Sequence, residues 1–284
     1  MQFGLESLGT WSEAVNSVID ADSIKAYAEA TNDPIAVHLS GEQAPPVYSV
    51  VPVWGVMGTA MMGVVPADAL MTVVHGEQDM RFYRAVTAGM TLRSIASPIG
   101  VHVKPNGTTV VVRVDSRDVS DDSLVVEQYV TTFYRGITGG EGAGVAAPDH
   151  KLSDATMQTD PIATYEQTID TDQTFRYADA SGDRMPIHLD VDFATQVGLP
   201  GIIVHGLCTM AFTSWAAIEA VADGDPSRLR RLAVRFSKPV LPGQSMVSTF
   251  WAAGEVEGAK VIGFETRNSD GEVVIKDGLV EVAN

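Results

Sequence analysis

The feature that most constrains the fold of this chain is an internal duplication. Residues 19–38 align without a gap on residues 169–188, and 8 of the 20 aligned positions are identical. A second block, residues 81–89, aligns on residues 235–243 at nearly the same offset, and Arg-Phe, Val and Gly recur there. Similarity in register at two separate places predicts that each half of the chain folds as one copy of the same unit.

Each half shows the same order of patterns: a short strand, a helix, a loop, an apolar helix and then several strands. The apolar helix is expected around residues 54–64 in the first half and at residues 206–221 in the second. The later strands are expected at residues 101–104, 108–114 and 123–134, and again at 245–253, 260–266 and 272–282, with Asn106-Gly107 and Asp270-Gly271 in turns. Because an antiparallel sheet must bury one face, the pattern predicts an α+β fold in which each sheet wraps a long central helix.

The duplication also predicts the domain organisation. Residues 1–137 are expected to form an N-terminal unit, and residues 162–284 a C-terminal unit. Residues 138–161 are expected to be a linker, which is flexible where Gly and Ala predominate.

Composition limits the partners and the location of the protein. The net charge of −17 at pH 7 argues against nucleic acid or an anionic membrane as the main partner. Cys208 is the only cysteine, so neither an intrachain disulfide nor a multi-cysteine metal site can form. This favours a reducing compartment, and the first residues do not resemble a secretory signal, so we expect a cytoplasmic protein. Cys208 itself lies in an apolar helix and is expected to be a buried small hydrophobe rather than a nucleophile.

The uncharged stretch from Gln43 to Ala67 is long enough to consider as a membrane span. Four prolines interrupt it, and no basic flank follows it. A buried core helix preceded by a loop is therefore the better interpretation.

The candidate site lies at the end of the duplicated segment in the second half. Gly182 and Pro186 interrupt the helix pattern and predict a tight loop. This loop carries Asp183 and His188, five residues apart, which can converge on one small volume. A carboxyl group and an imidazole so placed can hold one water, and one group removes a proton while the other donates one. Adding water across a polarised double bond requires this chemistry.

A second motif follows at residues 199–210, where Gly206 opens the long apolar helix. A helix N-terminus exposes unpaired N–H groups and a positive dipole end, and glycine lets a ligand approach the backbone closely. Directed at a thioester carbonyl, those donors would stabilise the enolate-like charge that develops when a nucleophile adds at the β-carbon. Ser181, Gly182 and His205 are expected to support the site.

Together, the motifs Tyr177-x-x-x-Ser-Gly-Asp-Arg-x-Pro-Ile-His188 and His205-Gly-Leu resemble those of the R-specific enoyl-CoA hydratase family, also called MaoC-like or type 2 hydratases. The resemblance implies a double hot-dog fold over nearly the whole chain. It also implies that Asp183 and His188 are the catalytic pair and that the backbone N–H of Gly206 is the oxyanion donor. The implied reaction is reversible syn addition of water to trans-2-enoyl-CoA, giving (R)-3-hydroxyacyl-CoA without a metal or a redox cofactor.

Two parts of the chain depart from the family pattern. The family usually has Asn two residues after the aspartate, where this chain has Met185, whose side chain cannot make the hydrogen bonds of an amide. The first copy keeps Asp33 and His38, but Val51 stands at the position of the oxyanion glycine and is followed by Pro52, which has no N–H. We therefore expect a non-catalytic first unit that shapes the acyl-binding tunnel.

Two alternative functions fit the same fold. One is an acyl-CoA thioesterase, which the hydratase-type loop disfavours, and the other is a non-catalytic acyl-thioester-binding subunit, which Met185 keeps open. The expected partners are an acyl-CoA or acyl-carrier-protein thioester and, in a homodimer, a second copy of the chain, with no nucleic acid and no membrane. His75, His102 and His150 have no partners in the sequence pattern and are expected at the surface.

Overall fold

The computed structural model describes residues 2–284, which form two compact units. The first unit contains the chain up to Val18 together with Pro52–Arg84 and Met90–Asp149. The second unit contains Ile19–Val51, Ala85–Gly89 and His150–Asn284. Each unit has its own antiparallel sheet and its own apolar helix.

Antiparallel strands make up much of both units. The strands are β1 (Val15–Val18), β2 (Val73–Phe82), β3 (Thr91–Lys104), β4 (Gly107–Asp118), β5 (Leu124–Arg135), β6 (Ala143–Gly144), β7 (Ala163–Thr168), β8 (Leu229–Phe236), β9 (Ser245–Val256), β10 (Ala259–Asn268) and β11 (Val273–Ala283). The α-helices are α1 (Ala21–Ala30), α2 (Ala36–Leu39), α3 (Trp54–Met62), α4 (Asp154–Met157), α5 (Gln173–Ser181), α6 (Val191–Gln196) and α7 (Gly206–Val221). Short 3₁₀ helices lie at Pro46–Val53, Ala67–Thr72, Pro186–His188 and Pro226–Arg228.

The sheets of the two units have the same strand order. It is β1-β3-β4-β5-β2 in the first unit and β7-β9-β10-β11-β8 in the second, and the neighbouring strands are antiparallel. Strands that correspond in sequence therefore occupy corresponding places, so the duplication extends to the topology. The predicted double hot dog of the α+β class is confirmed.

The predicted strands and turns are present. β3, β4, β9 and β10 are longer than their patterns indicated, whereas β5 and β11 have the predicted lengths and are displaced by one residue. β3 and β4 pair as far as Lys104 and Gly107, which leaves Pro105 and Asn106 in the turn. β10 and β11 are joined through Gly271, which has φ +77°. Glycine adopts this left-handed conformation without the steric cost that a side chain would add.

α7 is the central helix of the second unit, and it spans the residues that the sequence predicted. Every residue from Leu207 to Ile218 is buried, and the helix packs against β7, β8 and β11. A helix covered on all sides can be apolar all round, which explains the long uninterrupted run.

The apolar stretch of the first unit is less regular than predicted. Pro46–Val53 is a 3₁₀ helix, and the α-helix α3 covers only Trp54–Met62. Pro52 cannot donate the hydrogen bond that a longer α-helix would need at that point. α3 packs against β3 and β4. No helix within residues 2–284 is long and apolar enough to cross a membrane.

The compact units divide the chain differently from the predicted boundary at residue 137. The segment Ile19–Val51, which contains the first duplicated block, belongs to the second unit. Carbonyls at the C-terminal end of α1 accept hydrogen bonds from three side chains of the second half: Arg176 to Glu29, Gln173 to Ala30 and Trp215 to Thr31. The last carbonyls of a helix lack intrahelical donors, so these bonds satisfy them and hold α1 in the second unit.

The linker contains regular structure at both ends. β6 pairs with Gly100 and Val101 of β3. Gly144 has φ +83°, and a Cβ there would collide with the carbonyl oxygen of Ile99, so this pairing requires glycine. At the other end α4 covers Asp154–Met157.

The expectation that His75, His102 and His150 lie at the surface is wrong for His150. His150 is buried, and its Nδ1 donates to the carbonyl oxygen of Asp277 at 2.6 Å. This residue is more than a hundred positions away in the chain, so the contact leaves no local pattern. His75 and His102 are partly exposed.

Candidate active site

The loop that carries the candidate pair is held by hydrogen bonds between its own backbone N–H groups and its own side chains. α5 ends at Ser181, and Gly182 follows with φ +78°, a conformation that terminates many helices. The N–H of Asp183 donates to Ser181 Oγ at 3.2 Å, and the N–H of Met185 donates to Asp183 Oδ1 at 3.2 Å. Pro186 then begins a 3₁₀ turn that ends at His188. The tight loop predicted from Gly182 and Pro186 is therefore present.

His188 is buried and has a defined tautomer. Its Nδ1 lies 2.7 Å from the carbonyl oxygen of Ile203, and a carbonyl only accepts, so Nδ1 carries the hydrogen. In the neutral ring the lone pair is then on Nε2. Burial lowers the pKa of His188, while the Ile203 carbonyl and the Asp183 carboxylate act in the opposite direction. The ring is therefore neutral near pH 7 and can accept a proton.

His205 lies against both residues of the pair. Its Nε2 donates to the backbone carbonyl oxygen of Asp183 at 2.9 Å, and its ring stacks on that of His188 with centroids 3.7 Å apart and planes at 24°. Tyr177 also packs against the ring of His205, with the two ring centroids 4.8 Å apart. Burial and, to a lesser degree, the nearby His188 lower the pKa of His205 to about 3. This ring is therefore neutral at any pH where the protein is expected to work.

The spacing of the three groups suits a bridging water. One carboxylate oxygen of Asp183 and one ring nitrogen each of His188 and His205 lie within 4.8 Å of one another. Two groups that each hydrogen bond to one tetrahedral water at about 2.8 Å lie about 4.6 Å apart. Asp183 and His188 therefore lie close enough for one water to bridge them.

The same three residues are of types that bind metal ions. Nε2 of His205 already donates to the Asp183 carbonyl, so this nitrogen is not available as a metal ligand.

Gly206 is the first residue of α7, immediately after His205. The first N–H groups of a helix have no partner within it, and the helix dipole makes this end attractive to negative charge. A Cβ on Gly206 would lie 3.3 Å from the ring of Phe236, which is tighter than ordinary contact. Glycine therefore fits the packing and adds no side chain next to this N–H.

The aligned pair of the first copy has a different geometry. His38 Nδ1 lies 2.8 Å from Asp33 Oδ2, a direct hydrogen bond with no room for water between the groups. Asp33 also accepts the N–H of Ile35 at 2.9 Å. His38 is 0% exposed and Asp33 is 3% exposed. Val51 and Pro52 lie inside the 3₁₀ helix, so no glycine opens a helix as Gly206 does.

Comparison with known proteins agrees with both the fold and the motifs. The family model for the MaoC like domain matches residues 153–273, and that for the MFE-2 hydratase 2 N-terminal domain matches residues 40–136. The chain is 32% identical over 255 residues to 3-hydroxyacyl-thioester dehydratase Y of Mycobacterium tuberculosis, which covers 86% of this chain and 83% of that protein. The chain belongs to the MaoC-like dehydratase family.

Two further matches show how widely this family likeness extends. The chain is 31% identical over 210 residues to the mouse peroxisomal multifunctional enzyme type 2, covering 74% of this chain and 27% of the mouse protein. A crystal structure of a MaoC-like dehydratase from Phytophthora capsici superposes with a TM-score of 0.83 and 25% identity, covering 99% of this chain and 97% of that one. The chain therefore spans about a quarter of the mouse protein and nearly all of the Phytophthora protein. The resemblance to the MaoC-like family is confirmed.

Within this MaoC-like dehydratase, the structure brings Asp183, His188 and His205 together, and places Ser181 and Gly182 in the loop that holds them. The sequence motif did not reveal the stack of His188 on His205, because the two residues are seventeen positions apart. Cys208 is fully buried and burial raises the pKa of its thiol, as expected for a core residue rather than a nucleophile.

Proposed function

We propose that this MaoC-like dehydratase is an R-specific enoyl-CoA hydratase, a hydro-lyase that reversibly adds water to trans-2-enoyl-CoA to give (R)-3-hydroxyacyl-CoA. The observation that carries the proposal is the proximity of Asp183 and His188, whose carboxylate oxygen and ring nitrogen lie within 4.8 Å of each other. Relatives support the reaction class by name: 3-hydroxyacyl-thioester dehydratase Y of Mycobacterium tuberculosis and enoyl-CoA hydratase 2 of Arabidopsis thaliana.

In the proposed mechanism His188 and Asp183 share the activation of water. The neutral Nε2 of His188 accepts one hydrogen of the water, and the carboxylate of Asp183 accepts the other. The water oxygen forms a bond to the β-carbon, one of its protons passes to the pair, and the electrons of the double bond move toward the thioester. The thioester oxygen then carries enolate charge.

The N-terminus of α7 stabilises that charge. The backbone N–H of Gly206 donates to the enolate oxygen, where it acts with the positive end of the helix dipole. The protonated member of the pair then delivers its proton to the α-carbon, and the carbonyl double bond re-forms. One water is consumed and no electrons leave the substrate, so we propose that the reaction uses no metal and no redox cofactor.

Met185 is compatible with this mechanism. Its side chain is 50% exposed, while its backbone N–H donates to the catalytic carboxylate. Any residue except proline supplies that N–H, so the loop is held without the amide that the family usually has. This observation favours hydration over the alternative of an acyl-thioester-binding subunit without activity.

We also propose that the first copy is non-catalytic and contributes to binding of the acyl chain. The closed, buried Asp33–His38 pair supports this assignment, as does the absence of a glycine at the aligned oxyanion position. The substrate is proposed to be an acyl-CoA or acyl-carrier-protein thioester. A homodimer and a cytoplasmic location stay predictions, to be measured by light scattering and cell fractionation.

The test is to incubate the purified protein with a trans-2-enoyl-CoA. Hydration predicts loss of the enoyl absorbance without release of thiol, and chiral chromatography of the product should show the R isomer. Thiol release would instead identify a thioesterase, and binding without turnover would identify an acyl-binding subunit.

Variants assign the reaction to one copy. Asp183→Asn and His188→Ala should each abolish hydration, because each removes one acceptor of the bridging water. The matched variant Asp33→Asn should leave kcat unchanged for the folded protein. If Asp33→Asn abolishes hydration and Asp183→Asn does not, the active copy is the first one.

A further inference from the structure

The proposed mechanism uses Asp183, His188 and Gly206 but gives no task to the buried ring of His205. This ring contacts each part of the site. Its Nε2 donates to the Asp183 carbonyl, its face stacks on His188, and the next residue along the chain is Gly206. His205 is 1% exposed, so protein atoms rather than solvent surround its ring.

His205 is poorly placed to exchange protons with a substrate. Its Nε2 hydrogen is directed at the Asp183 carbonyl, and its Nδ1 is buried and without a hydrogen-bond partner among residues 2–284. A ring held in this way contributes shape and one donor rather than a movable proton.

We propose that His205 is a positioning residue, whose N–H fixes the Asp183 loop and whose ring face fixes the plane of His188. The inference rests on the proposed hydratase function and concerns the geometry of the same site. The two contacts act on different catalytic groups, so together they set the gap that the bridging water occupies. They also tie this gap to the start of α7, since the carbonyl of His205 accepts the N–H of Thr209 in the first turn.

The two contacts can be removed separately. His205→Phe keeps a planar ring that can stack on His188 but has no N–H, and His205→Gln keeps an N–H near the position of Nε2 but has no ring. His150→Gln is a matched control, because His150 is another buried histidine of the same unit whose ring donates to a backbone carbonyl.

Steady-state hydration of a trans-2-enoyl-CoA is measured for the three variants, with rates expressed per folded molecule. A displacement of catalytic groups by about 1 Å costs about 100-fold in rate, so kcat of His205→Phe should fall by about that factor while KM changes less than about threefold. kcat of His205→Gln should be about tenfold higher than that of His205→Phe, because the Gln side chain restores the donor to the Asp183 loop. His150→Gln should keep the wild-type kcat.

A merely structural role would give a different pattern. The Phe and Gln variants would then lose thermal stability, as His150→Gln would, but keep the wild-type kcat per folded molecule, and this result would overturn the proposal. Histidine ¹⁵N NMR provides a readout that does not depend on turnover. In the wild type His188 should be the Nδ1–H tautomer, and in His205→Phe its resonances should shift or broaden; unchanged resonances count against positioning. A wild type without hydratase activity would refute the proposed function. An active wild type with an unimpaired His205→Phe variant would refute the positioning role alone.

Discussion

A buried neutral histidine makes a protein less stable in acid, and His205 is expected to have this effect. Its pKa is lowered to about 3 by burial, against about 6.5 for an exposed imidazole. Between these two values the unfolded chain binds a proton at His205 that the folded protein does not bind. Burial of the neutral ring therefore costs no stability above about pH 6.5. Below that value the free energy of unfolding falls progressively as the pH approaches 3.

The size of the effect follows from the pKa difference. Each pH unit in this window lowers the free energy of unfolding by about 1.4 kcal/mol. About pH 5 is about 1.5 units below the pKa of the unfolded chain, so the loss from His205 there is about 2 kcal/mol. Any folded-state pKa below about 4 gives the same result, because the folded ring is then neutral at this pH.

Urea unfolding followed by tryptophan fluorescence measures the loss between about pH 7.5 and about pH 5. His205→Gln removes the titrating ring, while the other titrating groups remain in both proteins and cancel in the comparison. The wild type should lose about 2 kcal/mol more than the variant over this interval. Equal losses, within about 0.5 kcal/mol, would refute the reasoning that burial keeps this ring neutral.

Three further predictions concern the site and the two units. The acid limb of kcat/KM should have its midpoint below about pH 6.5, because burial lowers the pKa of His188 and the proposed mechanism uses the neutral ring; a midpoint above that value in a pH–rate profile contradicts it. Gly144→Ala should release β6 from β3, seen as faster amide exchange at residues 143–145, because its φ is positive and a Cβ meets the Ile99 carbonyl. Trp215→Phe should lower the free energy of unfolding in urea by about 1–3 kcal/mol, because the buried Thr31 carbonyl loses its Nε1–H donor; a change below about 0.3 kcal/mol would contradict this.

Local patterns were sufficient to predict much of this fold. α7, the β3–β4 turn and the Gly182 helix end each depend on residues close together in the chain. The assignment of Ile19–Val51 to the second unit depends instead on distant side chains such as Arg176, which donates to Glu29 from 147 positions away. No periodicity or turn motif records such a contact.

The candidate site shows the same division. The motif indicated Asp183 and His188 because loop residues five apart can converge. It did not indicate that His205 would stack on His188, because the packing of α7 against the sheet brings that ring into place. Nor could it show that the Met185 side chain would be exposed while its backbone N–H binds the carboxylate.

The two copies keep the same acid and imidazole but differ in what the histidine Nδ1 binds. In the second copy Nδ1 of His188 donates to the Ile203 carbonyl, which leaves the neighbouring carboxylate available to a water. In the first copy the residue aligned with Ile203 is Tyr48, inside the 3₁₀ helix Pro46–Val53, where carbonyls are directed at N–H groups three residues on.

Nδ1 of His38 donates to Asp33 instead, and this bond closes the gap that a bridging water would need. The second copy also has five more residues between its histidine and the aligned proline, and that longer segment contains α6. The four residues before α7, residues 202–205, lie outside any helix, and the carbonyl of Ile203 within them accepts from His188. The difference between the open pair of the second copy and the closed pair of the first therefore follows from the backbone that supplies the histidine's acceptor, and the two side chains alone do not determine it.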